Sequence, residues 1–381
     1  MEFNLTEDQL LLKEMVRDFA QKEIAPQAKI LEDKHEFPWD LLKKLAQLGI
    51  LGMTIPSEYG GSKTDLLSLS IALEEISKAS PSLAVIVSVH CSLFCYSIIK
   101  FGTEEQKKKY LPHASKGKIL GAFALTEPGA GSDVTHMKTK AQKHDDFYLL
   151  NGTKSWITSG SEANGFILFA QTELEPGIKK LSSFIVERNF AGLGVSKVEE
   201  KLGLHSSSTA EITLEDCQVP LENLLGKEGK GASIALHCLD CSRIGIAAQS
   251  VGVSQAALDE AIKYAKQREA FGKKISEFQA IQFMIADMSV LTDAARLLTY
   301  KAARLFDQGR IITKEASMAK LFASEAANKI VHQALQIHGG YGYSKEFFIE
   351  QLYRDARSFS IYEGTSEIQR LVISRQLLKE Q

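Results

Sequence analysis

The chain has 381 residues, 44% hydrophobic and 24% charged, ordinary proportions for a globular protein and a length for roughly two to three domains. Lys plus Arg number 45 and Asp plus Glu 47, a net charge of −2 with no basic stripe, which disfavours a nucleic-acid-binding role. Five cysteines, odd in number and irregularly spaced, exclude a disulfide framework and suit a reducing compartment.

The N-terminus, MEFNLTEDQL, shows neither a basic-then-apolar signal peptide nor an Arg/Ser-rich transit peptide. The expected setting is therefore a bacterial-type cytoplasm or, for an already trimmed chain, the mitochondrial matrix. Residues 1–118 read as helical. Thr6 and Gln9 have capping-box spacing ahead of Leu11, Met15, Val16 and Phe19, and Pro26 marks the expected end of that helix. Pro38 opens a second helix, closed by Gly49, and Asp65 precedes LLSLSIALEEISKAS. After Pro81, the stretch from Ser82 to Ile99 carries no charge but holds four serines and a histidine. A membrane span needs about 20 mostly apolar residues, so this stretch predicts a helix buried on most sides and no span. Thr103 and Gln106 repeat the capping-box spacing before KKKYLPHA.

From 119 to 226 helical periodicity gives way to short β-rich runs: FYLL, KSWIT, GFILFA, SSFIVE and AEITL. The pair Asn151-Gly152 between the first two predicts a hairpin turn. An antiparallel barrel or sandwich is expected, without βαβ crossovers. Long helices return over about 230–268, 276–308 and 313–338, the second opened by Ser276/Gln279 and closed by Gly309, the third closed by Gly339-Gly340. A shorter helix is expected near 346–356. A last one starts at Ser366, with Gln369 in capping-box position and Ile368, Leu371, Val372 and Leu378 on one face. Long antiparallel helices with short links predict a bundle over 227–381.

Nucleotide fingerprints fail: GAGSDV at 129–134 and GKEGKGAS at 226–233 miss the Rossmann and P-loop spacings. FALTEPGAGSD at 123–133 runs from a β-segment into a small-residue loop that suits either a backbone nest for an anion, with Ser132 adding a hydroxyl, or a plain turn. In KSWITSG, Trp156 and Thr158 are two apart on a strand and share a face. A large ring beside a hydroxyl suits an isoalloxazine, but on these residues alone an ordinary core tryptophan is the favoured reading. HCSLFC at 90–95 and HCLDC at 237–241 read as small buried thiols and not as a metal site. In IYEGTSEIQRL, Glu363 sits between a tyrosine and a glycine just before a helix start, either a solvated loop glutamate or a catalytic base.

FALTEPGAGSD, KSWITSG, QREAFGKKISEFQAIQFMIADM (267–288), QIHGGYGY (336–343), YRDAR (353–357) and IYEGTSEIQRLVI (361–373) resemble, in order and spacing, the acyl-CoA dehydrogenases. The likeness covers essentially the whole chain and is closest to the short-chain, butyryl-CoA-type members. It implies a multi-domain α+β fold, with an N-terminal α-helical domain (1–118), a middle antiparallel β-domain (119–226) and a C-terminal four-helix bundle (227–381). It also implies a homotetramer, a dimer of dimers, with FAD held between the β-domain and the bundle. The implied reaction is dehydrogenation of a short-chain acyl-CoA to trans-2-enoyl-CoA, with electrons passed to an electron-transfer flavoprotein. An acyl-CoA oxidase, or a flavin- and acyl-CoA-binding protein without dehydrogenase activity, are the alternatives.

By the same resemblance Glu363 is the base that removes the α-proton. Flavin contacts fall on Phe123, Ala124, Leu125, Thr126 and Ser132, and on Trp156, Ile157 and Thr158, with Thr158 near N5. Arg268, Phe271 and Gln279 resemble contacts to a neighbouring subunit's FAD. Gln336, Ile337, His338, Gly339 and Gly340 resemble the loop over the adenosine half, and Thr365, Ser366 and Glu367 the remaining contacts. Substrate positions are Ser132, Asp240, Arg243, Tyr362 and Gly364, although Asp240 and Arg243, three apart on a helix, also suit a plain ion pair. Isovaleryl-type members carry their base at the position of Ser242, so that branch is disfavoured. Phe347-Phe348 and Phe359-Ser360 replace the family's usual Tyr-Pro and Ile-Thr, and Phe94 and Tyr96 suit either a shortened acyl cavity or ordinary core packing.

Overall fold

In the computed structural model, which describes residues 4–379, capping chemistry sets most of the early helix starts. Thr6 and Gln9 form both halves of a capping box at α1 (Glu7–Phe19). This helix does not stop at Pro26. A π-helical turn, Ala20–Ile24, carries it into α2 (Ala25–Lys34), whose first turn holds the proline. The Ala25 N–H reaches back to Ala20 O, and this wider register just before residue 26 lets the helix continue past a ring that has no N–H to donate. α3 (Trp39–Gln47) follows Pro38, and Gly49 reverses the chain at a φ of 80°. Asp65 caps α4 (Leu66–Ala79) by accepting from the Ser68 N–H at 2.7 Å.

Ser80 caps α5 (Pro81–Ser88), and a second π-turn, Val89–Cys95, joins it to α6 (Tyr96–Phe101). This rod is long and apolar enough to cross a membrane, yet 89% of its most apolar stretch is buried inside the protein, as expected of an interior helix. α7 (Glu104–Ser115) starts with the Thr103/Gln106 capping box. The Gln106 amide also donates to the Glu222 and Leu224 carbonyls at 2.6 and 2.9 Å, tying the helical region to the β-region.

The strands are β1 (Gly121–Ala124), β2 (Lys140–Lys143), β3 (Phe147–Thr158), β4 (Gly165–Glu175), β5 (Ile178–Glu187), β6 (Leu193–Val198), β7 (Thr209–Pro220) and β8 (Leu224–Leu225). They form one sheet in the order β6-β7-β3-β2-β4-β5-β8, with β1 beside β4. Pairing is antiparallel except for β1–β4 and a single β2–β4 bridge. FYLL and KSWIT are one strand, so Asn151-Gly152 is not a hairpin turn. Asn151 pairs with Lys140 of β2, while against β7 the pairs Leu150–Cys217 and Gly152–Leu214 flank a bulge at Asn151. A Cβ on Gly152 would lie 2.6 Å from Thr139 Oγ1, so this glycine serves close approach within the sheet.

The C-terminal region comprises α8 (Gly231–Gln267), α9 (Gln279–Asp307), α10 (Thr313–His338), α11 (Phe348–Ala356) and α12 (Ser366–Lys379), with α10 packed against α8, α9 and α12. Two expected starts move. α9 begins at Gln279 after a 3-10 turn whose capping pair is Lys274 and Glu277, not Ser276 and Gln279. At α12 the cap is Thr365, whose Oγ1 accepts from the Ile368 N–H at 3.4 Å, and Ser366 lies inside the helix. The apolar face expected there is not buried within the chain: Leu371 is 47% and Leu378 73% exposed.

Close packing joins the regions. Phe94, fully buried, fills the space between the helical region and the sheet, and a Cβ on Gly121 would lie 1.9 Å from its ring. It is thus committed to the domain boundary. The β-region's segment 204–206 is gripped from both sides. Glu32 of α2 accepts from Ser206 N and Oγ at 3.0 and 2.8 Å and from Ser82 Oγ at 2.9 Å. Asp355 of α11 accepts from Leu204 N at 2.6 Å. Burial, reinforced by the charge of Glu32, pushes the Asp355 carboxyl up to about 8 from 3.8. Between those values the native chain holds a proton that the unfolded chain has released, so stability falls as pH rises through that window. Asp355→Asn should flatten this slope in denaturant titrations at pH 5 and pH 8; an unaltered slope would assign the dependence elsewhere.

Candidate active site

The turn between α11 and α12 is conformationally unusual. Glu363 has a φ of 54° and Gly364 one of 96°. A left-handed conformation costs a residue with a Cβ about 1–2 kcal/mol, so the surroundings must hold it. Gln369, in the first turn of α12, donates to the carbonyls of Glu363 at 3.3 Å and Gly364 at 2.9 Å. Lys320 of α10 donates to the same Gly364 carbonyl at 2.7 Å. A Cβ at position 364 would sit 2.6 Å from Gln369 Nε2, so the glycine answers both its own φ and this close approach.

The carboxyl of Glu363 points inward. The residue as a whole is half-buried, but its Oε2 accepts from Ser242 Oγ on α8, a residue with no exposed surface. Burial pushes the carboxyl up to about 7, opposed by the Ser242 hydrogen bond and by the charges of Lys320 and Arg243. Burial likewise pushes the Lys320 ammonium down to about 8, with the charge of Glu363 pulling the other way. Acid and lysine are thus both drawn toward neutrality, from opposite sides. Arg243 and Asp240 are each other's partners at 2.8 Å, and Asp240 also accepts from Thr313 Oγ1 at 2.5 Å. Arg243 Nε is nevertheless buried with no partner. The Tyr362 hydroxyl donates to Gln249 Oε1 at 2.6 Å. Glu363, Arg243, Asp240 and Gly364 are therefore brought together, with Tyr362 next in the chain; Ser132 sits apart on an exposed loop.

A second group gathers on the β-region. Phe123 and Thr126 are half-buried at the end of β1, while Ala124 and Leu125 are buried. Trp156 is not a core tryptophan: it is 60% exposed, at a φ of 61°, on a bulge of β3. Ile157 points inward and Thr158 is half-buried, so the indole and the hydroxyl do lie on the outer face. Ser159 Oγ beyond them is buried with no partner, and a Cβ on Gly129 or Gly131 would meet nothing within 4 Å. An open cradle of small residues beside an exposed ring, a hydroxyl and an orphaned polar atom fits a flat cofactor with a polar edge, as a flavin has. Beneath it lies an ion pair that sequence reasoning missed. Lys154, fully buried, donates to Glu127 at 2.8 Å and to the Leu125 carbonyl at 3.3 Å. Glu127 also accepts from the Thr139 N–H at 2.9 Å, anchoring both ends of the loop. The available signal was a lysine inside an otherwise β-rich run.

A third group lies elsewhere. Arg268, Gly339 and Gly340 are exposed around a groove of about 610 Å³ whose inner wall includes buried Ile337 and His338, and Gln336, also exposed, does not line it. The Arg268 guanidinium stands 5.7 Å from the Tyr341 ring, and Phe347 packs on Tyr264, His338 and Tyr341. Gln279 is exposed and Phe271 is 96% exposed. Arg243 lies within the first half of α8 and Arg268 caps its C-terminal end, and the 25 residues between them at about 1.5 Å each span about 37 Å. One chain does not bring this group to the carboxyl. Near α12, Thr365 caps the helix, Glu367 is exposed, and Ser366 Oγ donates to Glu325 at 2.6 Å.

Comparison with known proteins bears on this arrangement. Residues 6–118, 122–217 and 229–378 match the N-terminal, middle and C-terminal domain models of acyl-CoA dehydrogenase. The mitochondrial short-chain specific acyl-CoA dehydrogenase of Rattus norvegicus is 49% identical, over 98% of this chain and 91% of its own. A subunit of the caffeyl-CoA reductase–Etf complex of Acetobacterium woodii is 48% identical, over 98% and 99%. The solved structure of butyryl-CoA dehydrogenase from Megasphaera elsdenii superposes with a TM-score of 0.97 at 43% identity, covering 99% of this chain and 100% of that one. Sequence match and superposition both run the length of all three regions, and the chain belongs to the acyl-CoA dehydrogenase family of oxidoreductases.

Proposed function

We propose that this chain is an FAD-dependent enzyme that dehydrogenates a short-chain acyl-CoA to trans-2-enoyl-CoA, with Glu363 as the base for the α-proton. The observation that carries it is a carboxyl poised at about 7, turned inward on a left-handed turn and hydrogen-bonded to Ser242. General bases work best near the ambient pH, and desolvation gives this one that proton affinity. Bound FAD supplies the hydride acceptor. The chain's own residues do the rest. Glu363 takes the α-proton, and its backbone N–H is assigned as a donor to the thioester oxygen, where charge develops. Ser242 orients the carboxylate. The Asp240–Arg243 pair buttresses it from α8 and, with Ser132, Tyr362 and Gly364, borders the substrate path.

Trp156, Thr158, Thr126 and Ser132 would hold the flavin, with Phe123, Ala124, Leu125 and Ile157 forming its strand support. Arg268, Phe271, Gln279 and Gln336 to Gly340 would reach a cofactor bound mainly by another copy, which accounts for their distance from Glu363. A homotetramer, arranged as a dimer of dimers, is supported by Phe283, Val290 and Leu297. They recur every seven residues along α9 and are 64%, 68% and 49% exposed. Electrons would pass to an electron-transfer flavoprotein. A reducing compartment, cytoplasmic or mitochondrial, is supported by relatives of bacterial and mitochondrial origin and by five buried free cysteines.

A second reading is favoured by the Acetobacterium woodii relative, which is named as a reductase complex subunit. The same residues then run in reverse, with protonated Glu363 delivering the proton to Cα. Comparing kcat/KM for butyryl-CoA oxidation and for enoyl-CoA reduction, each with the flavoprotein partner, decides the direction. Absence of flavin bleaching by butyryl-CoA under anaerobic conditions would sink both, and peroxide release would indicate an oxidase.

Glu363→Gln should keep FAD and lower kcat by about 10²–10⁴-fold; a near-normal rate would refute the base assignment. The Ser242 hydrogen bond lowers the proton affinity of Glu363, so Ser242→Ala should move the acid limb of the kcat profile upward by about one pH unit. Activity would be lost at pH 6 and regained toward pH 8. Arg268→Ala should release FAD from purified protein, and native mass spectrometry of the wild type should find four copies. A monomer retaining full FAD would contradict the shared site. Across a C4 to C16 series, kcat/KM should peak at the short end.

A further inference from the structure

Lys320 belongs to none of the motifs that carry the family resemblance, yet it is among the largest fully buried side chains, at 0% exposure. An interior ammonium is destabilising unless it is hydrogen-bonded and faces opposite charge. α10 sets it against the Glu363–Gly364 turn, where Nζ donates to the Gly364 carbonyl at 2.7 Å. Gln369 Nε2 reaches the same oxygen at 2.9 Å, so the turn is pinned from both α10 and α12.

The charges around Glu363 leave Lys320 a distinct part. Two cations bear on its carboxyl, Arg243 from α8 and Lys320 from α10. Asp240 on α8, and Glu325 and Glu367 on α10 and α12, act in turn on those cations. Tyr362 and Cys241 are the other titratable neighbours that feel the Glu363 charge. Arg243 is already paired with Asp240 at 2.8 Å. Glu325 is engaged by Ser366 at 2.6 Å and stands 3.9 Å from Arg370. Lys320 is the cation near the base that is not committed to a carboxylate by a direct ion pair.

We infer that Lys320 is a positioning residue for proton abstraction. It fixes the Glu363–Gly364 peptide in its left-handed turn and supplies the buried positive charge that keeps the Glu363 carboxylate ionised once substrate displaces water. The inference rests on Glu363 being the base. No bond to substrate is assigned to Lys320; it acts through the turn and through its charge. In a site that excludes water, such a charge acts more strongly than it would at the surface.

The test compares Lys320→Met, of similar length without charge, with Lys320→Arg, which keeps the charge, and with Glu363→Gln. It uses the FAD-loaded enzyme and butyryl-CoA. Lys320→Met should lose about ten- to hundredfold in kcat at pH 7, with KM within about threefold, and its acid limb should move up by about one pH unit. Infrared difference spectra, referenced to Glu363→Gln, should show the carboxyl protonating at correspondingly higher pH. Lys320→Arg should bring both back toward wild type. An acid limb and a carboxyl titration unchanged in Lys320→Met would overturn the inference while leaving the base assignment intact. A near-normal rate in Glu363→Gln would instead overturn the base assignment itself. If Lys320→Met does not fold, Lys320→Gln takes its place, keeping a donor for the Gly364 carbonyl without the charge. Its acid limb should also move up by about one pH unit, and an unmoved limb would overturn the inference.

Discussion

Ser242 on α8 and Glu363 on the turn before α12 meet in a hydrogen bond inside the protein, and each end of that bond constrains a different part of the chain. The carboxyl must leave water to gain proton affinity, yet it must remain able to ionise. Desolvation alone would carry it past usefulness; Ser242, Lys320 and Arg243 bring it back to about 7. Three helices supply those groups and the Gln369 amide that stabilises the turn. The C-terminal bundle is therefore the frame of the proposed base as well as a core.

The same device, a buried charge satisfied by groups from distant segments, recurs where the regions join. Glu127 and Lys154 close the loop after β1, beneath the exposed face of Trp156. Glu32 and Asp355, one from each helical region, grip the segment 204–206 between them. Hydrophobic packing fills these boundaries, as Phe94 does against Gly121, but it is non-directional. Hydrogen-bonded charges fix the angle at which one region meets the next. That precision matters where the β-region's outer face and the bundle's inner carboxyl must address one substrate.

The exposed apolar residues on α9 and in the segment before it carry the complementary message. Phe271, at 96% exposure beside Arg268, and the seven-residue stripe of Phe283, Val290 and Leu297 are poor choices for a surface facing water. Their separation from Glu363 along α8 makes sense if the cofactor is completed by another copy. Assembly and cofactor retention would then be one equilibrium.

Helix existence and type were legible in the sequence wherever a local rule applied. Capping boxes at Thr6 and Thr103, the Asp65 cap, and Gly49, Gly309 and Gly339 beyond helix ends are all short-range chemistry, and the structure carries each of them. Motif order also identified the family and pointed to Glu363 as the candidate base. What the sequence could not settle were the places where a distant contact overrode a local preference. Gly152 serves a close approach to Thr139 and not a turn, Pro26 rides through on a π-turn, and Ser366 yields its capping role to Thr365 while bonding Glu325. Burial of Lys320 and Lys154, and the inward aim of Glu363, were likewise decided by tertiary structure. A side chain's dielectric surroundings are set by residues tens to hundreds of positions away, and no local pattern records them.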